Sequence, residues 1–319
     1  MIKYTNPSDG KSLHESDSGL KDTSDNIVFP YKQGAFRCVP DTNYSANFGF
    51  QWNKFSKTQL DKSGEQNQSK NRFFSVTKWN ETDLSGCNVL EVGSGAGRFT
   101  EVVLTYTKAN LYSVDYSNAV EANYRNNASP RLKLFQASVY EMPFEKNQFD
   151  KVFCFGVLQH TPDFKKSIHA LVQMVKPGGE LIVDFYPITG FWTKLHAKYL
   201  LRPFTRKMNH EKLLSLIENN IDWLIRAHLF FNKIGLGKII NRFLPVCDIT
   251  STFPKGMDKK TLREWCILDT FDMFSPEYDN PQKIATVSEW LRESGMKVTF
   301  DGFVTFGDNQ RVAVVKSIK

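Results

Sequence analysis

Residues 89–99, which read VLEVGSGAGRF, constrain this chain more than any other stretch. They begin as an apolar run typical of a buried strand, continue through three glycines and end on residues that start a helix. Because glycine lacks a side chain and accepts unusual backbone angles, such a turn lets the main chain approach a nucleotide-type ligand closely. The spacing is G-x-G-x-G, whereas dinucleotide-binding turns have G-x-G-x-x-G. The sequence therefore predicts a strand, a turn and a helix that bind a nucleotide-type ligand.

Asp115 ends the next apolar run, residues 111–115, about 20 positions beyond the glycine turn. Doubly wound α/β folds place at that distance a carboxylate that binds the ribose hydroxyls of the ligand. The other interpretation is a solvated carboxylate at a strand end. After the glycine turn the first interpretation is favoured, with roughly 1.5–3 kcal/mol for each good hydrogen bond to the charged group.

The turn, with Glu91 directly before it, resembles motif I of the class I S-adenosylmethionine (SAM) dependent methyltransferases. From about Phe48 to the C-terminus, the chain resembles bacterial members of the type-11 group through FGFQWN, the glycine turn, FGVLQHTP and LDTFD. The resemblance implies an α/β fold with a Rossmann-like sheet of seven strands, SAM as the methyl donor, and Asp115 as the ligand of the SAM ribose. The residues implied in cofactor binding are Glu91, Gly93, Ser94, Gly95, Gly97, Asp115, Tyr116, Ser138, Val139, Phe155 and Gly156.

Ser138 departs from the pattern of that family. An acidic residue often stands at this position, after the third strand, and accepts a hydrogen bond from the adenine amino group. By resemblance, the Ser138 side chain and the main chain of Val139 still contact the adenine. The alternative is a polar loop residue that touches no ligand.

Predicted strands and helices alternate after residue 88, which is typical of a parallel sheet covered on both faces. Asp163 is the expected N-cap of the helix at 163–175, because apolar residues repeat on one helical face after it. The strands are expected at 88–92, 111–115, 132–136, 149–155 and 180–185, and the other helices near 99–107 and 119–127. Further along the chain, a helix is expected at 284–294 and two strands at 298–303 and 311–315.

Four regions follow from this pattern. Residues 1–46 are a short N-terminal segment, predicted to be disordered up to about residue 26 because it is polar, and to form two short strands after that. Residues 47–186 are the expected SAM-binding core with an N-terminal helical cap. Residues 187–281 are a helical, aromatic and basic insertion after the fifth strand, interpreted as a lid or acceptor region. Residues 282–319 complete the core.

The net charge of +7 is concentrated in residues 191–260, where Lys and Arg clearly outnumber Asp and Glu. Within them, residues 236–244 have helical apolar spacing with basic residues opposite, which favours either a lid helix or a helix on an anionic membrane surface. We find no apolar run long enough to span a membrane, and the five cysteines lack C-x-x-C spacing. We therefore expect neither a metal site nor disulfides, and a cytoplasmic protein with peripheral contact to the inner face of the membrane as a second option.

Candidates for catalysis are few, because positioning alone contributes roughly 7–11 kcal/mol to a methyl transfer. His160, after the fourth strand, is the best candidate for a general base, since an imidazole titrates near neutral pH. The alternative is a histidine that only orients its loop. Asp184 ends the fifth strand and Asp269 lies in the insertion, where ion pairing is the alternative role. The aromatic residues of 48–55 either stack on the adenine or the acceptor, or belong to the core.

The sequence thus predicts transfer of a methyl group from SAM to a hydroxyl of a small molecule, a sugar or a glycolipid precursor. Methylation of a small amine is the nearest alternative. An NAD-dependent oxidoreductase would need the dinucleotide spacing that this turn lacks. A non-catalytic SAM- or RNA-binding protein is a further rival, but the chain has no recognisable RNA module. We therefore do not expect nucleic acid as a partner, and the oligomeric state stays open.

Overall fold

The fold is described by a computed structural model that covers residues 2–40, 43–63, 67–79, 84–188, 190, 193, 195–254, 256–308 and 310–319. The chain divides into two compact units. Unit 1 comprises Met1–Pro187, Tyr278–Val304 and Val312–Lys319, and unit 2 comprises Ile188–Glu277 and Thr305–Arg311.

Within the described residues, twelve strands form one mixed sheet in the order β1-β2-β3-β4-β5-β8-β7-β6-β9-β10-β12-β11. The strands are β1 Tyr4–Thr5, β2 Ser12–Ser16, β3 Gly19–Lys21, β4 Ile27–Lys32, β5 Ala35–Arg37, β6 Asn88–Val92, β7 Asn110–Asp115, β8 Leu132–Gln136, β9 Phe149–Phe155, β10 Val175–Phe185, β11 Lys297–Phe306 and β12 Gln310–Ile318. The neighbours from β5 to β10 in this order run parallel, whereas β12 runs antiparallel to β10. The predicted Rossmann-like core is therefore present.

The predicted number of seven strands is not confirmed, because the N-terminal segment adds β1–β5, which run antiparallel to one another, at the β8 edge of the strands β6–β12. The prediction of disorder before residue 26 is wrong for the same reason. The few apolar residues of this segment, among them Ile2, Tyr4, Leu13 and Leu20, are buried in the same core cluster as Phe135. Composition underestimates such a segment, because alternate residues of a strand face opposite sides and only one side must be apolar.

The helices are α1 Ala46–Lys54, α2 Gln68–Thr77, α3 Arg98–Tyr106, α4 Val120–Asn127, α5 Phe164–Met174, α6 Ala197–Thr205, α7 His210–Lys233, α8 Gly237–Ile240, α9 Ile249–Thr252, α10 Lys259–Phe274 and α11 Ile284–Glu293. As predicted, Asp163 caps α5 by accepting a hydrogen bond from the main-chain N of Lys166 at 2.9 Å. Ile168 and Leu171 of α5 are buried in one cluster with Val287 of α11. The expected core strands, α5 and α11 are all confirmed.

Unit 2 contains α6–α10. Its core forms where α7 packs against α10, with Leu213 and Ile221 of α7 and Cys266 and Phe271 of α10 all buried. The region predicted to be rich in helices therefore contains them, while its role as a lid or acceptor region stays a prediction. In the described part of the chain, every helix is too short or too polar to cross a membrane.

Candidate active site

The glycine turn joins β6 to α3 and is packed on two sides. Gly93, Gly95 and Gly97 have φ angles of 85°, 52° and 91°, in the left-handed region that favours glycine. A Cβ on Gly93 would come within 2.1 Å of Val157 Cγ2, and one on Gly97 within 2.2 Å of Asn123 Oδ1. The turn therefore has no room for side chains at these two positions, and its shape depends on bare main chain.

Asp115 ends β7 beside this turn. Its Oδ2 accepts a hydrogen bond from the main-chain N of Gly95 at 2.8 Å, and its Oδ1 accepts from Ser117 N at 2.8 Å and Ser117 Oγ at 2.6 Å. Burial raises the pKa of the Asp115 carboxyl, and the same hydrogen bonds lower it in part. A carboxylate has roughly four acceptor sites, so Asp115 keeps capacity for a ribose hydroxyl. The structure thus brings together the two features that the sequence predicts to bind the cofactor.

Glu91 lies beneath the turn and is 2 % exposed. Its Oε2 accepts hydrogen bonds from Thr100 Oγ1 at 2.5 Å and from Ser113 Oγ at 2.8 Å. Burial raises the pKa of Glu91 to about 7, although these hydroxyls lower it. The Glu91 carboxylate therefore ties α3 to β6 and β7, and its contact with the cofactor stays a prediction.

Asp184 at the end of β10 is fully buried and engaged by the protein itself. Its Oδ2 lies 2.6 Å from Arg72 Nη2, and its Oδ1 accepts a hydrogen bond from the main-chain N of Gly156 at 2.5 Å. The pair fixes the loop that follows β9. Both oxygens of Asp184 therefore contact the protein itself, and a catalytic role for Asp184 stays a prediction.

Ser138 and Val139 follow β8, where the sequence places the adenine. Both are buried, and Ser138 Oγ accepts a hydrogen bond from Tyr140 N at 3.2 Å. Tyr116 directly follows β7, and its ring packs against the tilted ring of Tyr44 with 4.8 Å between the ring centroids. The polar and aromatic groups expected at an adenine site are present, and their contact with a cofactor stays a prediction.

Two further predicted residues differ in what they offer. The ring of Phe155 packs against Phe99 and Phe153, at centroid distances of 5.3 Å and 5.2 Å, so its side chain belongs to the core. Ser94 Oγ is buried in the glycine turn and makes no hydrogen bond with any described residue. A buried hydroxyl without a partner costs free energy unless a ligand or water meets it. Together with the bare turn and Asp115, this hydroxyl fits a nucleotide-type cofactor such as SAM.

α1 adds an aromatic side chain that sequence reasoning left undecided. A Cβ on Gly95 would lie 3.0 Å from Trp52 Nε1, so the indole lies against the turn. Gly49, one helical turn earlier, lets α1 approach Asn118, since a Cβ there would lie 2.1 Å from Asn118 Oδ1. Within the aromatic run, Phe55 is buried core, whereas Trp52 is partly exposed and lies against the glycine turn. In the sequence, the feature that could have indicated this close packing of α1 is Gly49, three positions before Trp52.

His160 lies in the loop after β9 and is 5 % exposed. Its Nδ1 is 3.0 Å from the carbonyl oxygen of Tyr278. Since a carbonyl only accepts, Nδ1 carries the proton, and in the neutral imidazole Nε2 is then the basic nitrogen. The rings of Phe48 and Tyr186 flank the imidazole at centroid distances of 5.1 Å and 5.6 Å. The structure thus fixes both the tautomer and the orientation that a general base needs.

Gln159 is a residue that sequence reasoning missed. It is fully buried, and its side-chain Nε2 and Oε1 make no hydrogen bond with any residue in the described ranges. Its main-chain oxygen accepts a hydrogen bond from Asn280 N at 2.7 Å, which ties the loop to the segment that follows unit 2 in sequence. An amide left without partners beside His160 fits recognition of a polar acceptor.

Asp269 lies in α10 of unit 2 and is only partly buried. The nearby Cys247 thiol has a pKa well above its usual range, through its hydrogen bond to Cys266, through burial, and through charges that include Asp269. These contacts are all within unit 2, so a catalytic Asp269 stays a prediction. In the residues that the structure describes, no group of three or more His, Cys, Asp or Glu is arranged to hold a metal ion.

Comparison with known proteins agrees with this geometry. Residues 90–183 match the methyltransferase domain family. The chain is similar to the ubiquinone biosynthesis O-methyltransferase of Alkalilimnicola ehrlichii, with 31% identity over 126 residues, 37% of this chain and 51% of the relative. It is also similar to the tRNA U34 carboxymethyltransferase of Pseudoalteromonas atlantica, with 33% identity over 106 residues, 32% of either chain. Among solved structures, it is similar to the complex between the Haloferax volcanii Trm112 methyltransferase activator and a methyltransferase, with a TM-score of 0.49, 10% identity, and coverage of 88% of this chain and 98% of that one.

The parallel sheet, the glycine turn and the family match together define a Rossmann-like methyltransferase domain. Residues 90–183 are a methyltransferase domain, and the fold around them is that of the predicted class I, with which SAM as the methyl donor agrees. The predicted class, enzyme type and cofactor are thereby confirmed. The chain spans only 51% and 32% of the length of the two curated relatives.

Proposed function

We propose that the protein transfers a methyl group from SAM to a hydroxyl group of a small molecule, a sugar or a glycolipid precursor. The observation that supports this most directly is the 3.0 Å contact from His160 Nδ1 to the Tyr278 carbonyl oxygen. It leaves Nε2 as the basic nitrogen of a neutral imidazole. A hydroxyl acceptor must lose a proton during methyl transfer, and an imidazole held in this tautomer suits that task.

The residues that would hold SAM lie at the strand ends of unit 1. The bare main chain at Gly93–Gly97 would approach it, Asp115 would accept hydrogen bonds from its ribose hydroxyls, and Ser138 and Val139 would lie at its adenine. When bound, SAM supplies a methyl group already activated by its sulfonium charge. The pair of Asp184 and Arg72 holds the loop at Gly156, so that the acceptor meets a preformed surface.

His160 takes the proton of the acceptor hydroxyl at Nε2. The Tyr278 carbonyl oxygen then stabilises the imidazolium, because Nδ1–H already points at it. The flanking rings of Phe48 and Tyr186 exclude water from the imidazole. Gln159 offers one donor group and one acceptor atom for orienting a polar acceptor.

A hydroxyl acceptor also agrees with the name of one relative, the ubiquinone biosynthesis O-methyltransferase, at 31% identity. A small amine is the nearest alternative acceptor, since amine methylation makes less demand on a base. A nucleic acid is a second candidate, because a relative at 33% identity is named tRNA U34 carboxymethyltransferase and the chain carries a net charge of +7. The prediction that nucleic acid is not a partner therefore stays a prediction.

Two measurements test the proposal. Calorimetric titration of the protein with SAM and, separately, with NADH is expected to show binding of SAM alone. Release of S-adenosylhomocysteine is then measured with three acceptor panels: sugars and lipid-linked sugars, small amines, and tRNA. Turnover with the first panel supports the proposal. Turnover confined to amines or tRNA would replace the acceptor class, and tRNA binding that vanishes at moderate salt counts as non-specific.

A further inference from the structure

Exposed apolar side chains of the described chain are concentrated in unit 2. Of nineteen exposed large hydrophobic residues, twelve lie between Leu195 and Phe243. Proteins that remain monomeric in water scatter such residues singly, and a contiguous apolar area marks a surface that contacts something. We therefore expect a binding partner to cover the exposed apolar side chains of this segment.

α7 is apolar on two faces. Leu213 and Leu224 belong to the face that is buried in unit 2. Leu216, Trp223 and Phe230 recur every seven residues, which places them on one helical stripe, and they are 51%, 48% and 56% exposed. A helix that only packs on its own unit needs one apolar face, so the second stripe of α7 has another purpose.

Exposed apolar residues also follow α7 in sequence, in the link to α8 and in α8 itself, which packs against α7. Ile234, Leu236 and Ile239 are 48%, 46% and 66% exposed. We use the name α7–α8 face for the exposed apolar residues Trp223, Phe230, Ile234, Leu236, Ile239 and Phe243. Trp223 satisfies its indole N–H locally, by donating to Asn220 Oδ1 at 3.0 Å, so its ring can enter an apolar phase without an unpaired donor.

The charge on this face is mainly positive, because the exposed Asp222 next to Trp223 is paired with Arg263 Nε at 3.0 Å. Between residues 223 and 247 the sequence has four Lys or Arg and neither Asp nor Glu. Arg226, Lys233 and Lys238 of this stretch are exposed. A second copy of the chain would bring like charges together, which disfavours self-association. RNA binds by stacking on aromatic rings and planar guanidinium groups, whereas Ile234 and Ile239 are aliphatic. An anionic lipid surface attracts the cations and accepts aliphatic, tryptophan and phenylalanine side chains alike.

We propose that unit 2 docks on an anionic lipid bilayer through the α7–α8 face. The apolar side chains enter the boundary between headgroups and acyl chains, while Arg226, Lys233 and Lys238 contact lipid phosphates. This goes beyond methyl transfer and needs neither SAM nor an acceptor. Failure of vesicle binding would therefore leave the proposed methyl transfer untouched, and failure of turnover would leave the docking untouched.

Flotation of the full chain with vesicles tests the proposal. Vesicles of mixed phosphatidylglycerol and phosphatidylcholine are expected to carry the protein, vesicles of phosphatidylcholine alone roughly tenfold less of it, and added salt to weaken the binding. Equal binding to the two kinds of vesicle, or binding to neither, would overturn it.

Paired variants locate the contact. Phe230→Gln with Ile239→Gln, and separately Lys233→Glu with Lys238→Glu, should each weaken partitioning into the anionic vesicles by roughly tenfold or more. The matched controls are Ile27→Gln with Phe300→Gln, and Lys32→Glu with Lys297→Glu, which change exposed residues of unit 1 equally in kind and charge. Controls that lose as much binding as the α7–α8 variants would refute the location. All variants replace exposed side chains, and circular dichroism confirms that each one folds.

Light scattering and gel shifts address the other occupants. A dimer in solution that Phe230→Gln with Ile239→Gln dissociates, without any vesicle binding, would assign the face to a second copy. RNA binding that the charge-reversal pair abolishes, again without vesicle binding, would assign it to nucleic acid. Either result overturns the proposal.

Discussion

The proposed donor side, at the glycine turn and Asp115, and the proposed acceptor side, at Gln159 and His160, differ in how their polar side chains are hydrogen-bonded. On the donor side, the Asp115 carboxylate already accepts three hydrogen bonds, from Gly95 and from Ser117. On the acceptor side, the Gln159 amide makes none with the described residues, and the tautomer of His160 leaves Nε2 basic. The Asp115 carboxylate is therefore held in place by the protein itself, whereas the buried Gln159 amide, like the Ser94 hydroxyl of the glycine turn, has hydrogen-bonding capacity left for a ligand.

The two sides also differ in sequence distance. Asp115 and Gly95 are 20 residues apart, within one strand–helix–strand unit. His160 and the Tyr278 carbonyl are 118 residues apart, with unit 2 between them in sequence. Short-range constellations are visible in a sequence, while long-range ones appear only after folding. Variants on each side test whether one side affects the Kd for SAM and the other affects kcat.

The largest effect is expected from His160→Ala. If Nε2 accepts the acceptor proton, kcat should fall roughly 10²–10⁴-fold while the Kd for SAM stays unchanged. Turnover assays at saturating SAM measure kcat, and calorimetric titration with SAM measures the Kd. His169→Ala, on an exposed histidine of α5, is the control. Unchanged kcat would return His160 to the role of orienting its loop, and a weaker Kd for SAM would move it to the donor side.

Asp184→Ala is expected to act on stability. It leaves the partly exposed Arg72 without its carboxylate and the Gly156 N–H without its acceptor. Removing one member of a buried pair costs about 3–5 kcal/mol, with the lower end expected because Arg72 is 19% exposed. Urea unfolding measures the loss. A fall in kcat with unchanged stability would instead restore the catalytic Asp184 that the sequence predicts.

These residues show what a sequence reveals and what it hides. The glycine turn, Asp115, the Asp163 cap and the core strands follow from local spacing, and the structure contains all of them. The contacts of Glu91, Asp184 and Phe155 do not, because partners from other elements make them. The strands β1–β3 were missed because the segment before residue 26 has few apolar residues, whereas the two short strands expected after it are present as β4 and β5. Gln159 was missed because a lone glutamine carries no signal until its burial is known.

Glu91 gives the donor side a pH dependence of known sign. Its folded pKa of about 7 lies above the 4.5 of an ordinary glutamic acid, so the folded state favours the protonated form. Its contribution to stability is therefore full below pH 4.5 and is lost as pH rises through about 7, a change of about 3 kcal/mol. Urea unfolding between pH 5 and 8 should show stability falling, and Glu91→Gln should flatten the slope. A slope unaffected by the variant would mean that Glu91 is not the group responsible.

Asp115→Asn is expected to give the smallest effect and the sharpest comparison. The amide oxygen still accepts from Gly95 N–H, whereas the amide nitrogen cannot accept from Ser117, and the negative charge that would attract the ribose hydroxyls is gone. The loss of about 1.5–3 kcal/mol for a charged hydrogen bond corresponds to roughly a tenfold to hundredfold weaker Kd for SAM, with kcat at saturating SAM little changed. Asp9→Asn, an exposed aspartate of unit 1, is the control. A variant that loses kcat but keeps its affinity for SAM would place Asp115 on the acceptor side. Because Asp115 is the main residue of the donor side, that result would contradict the separation of the two sides.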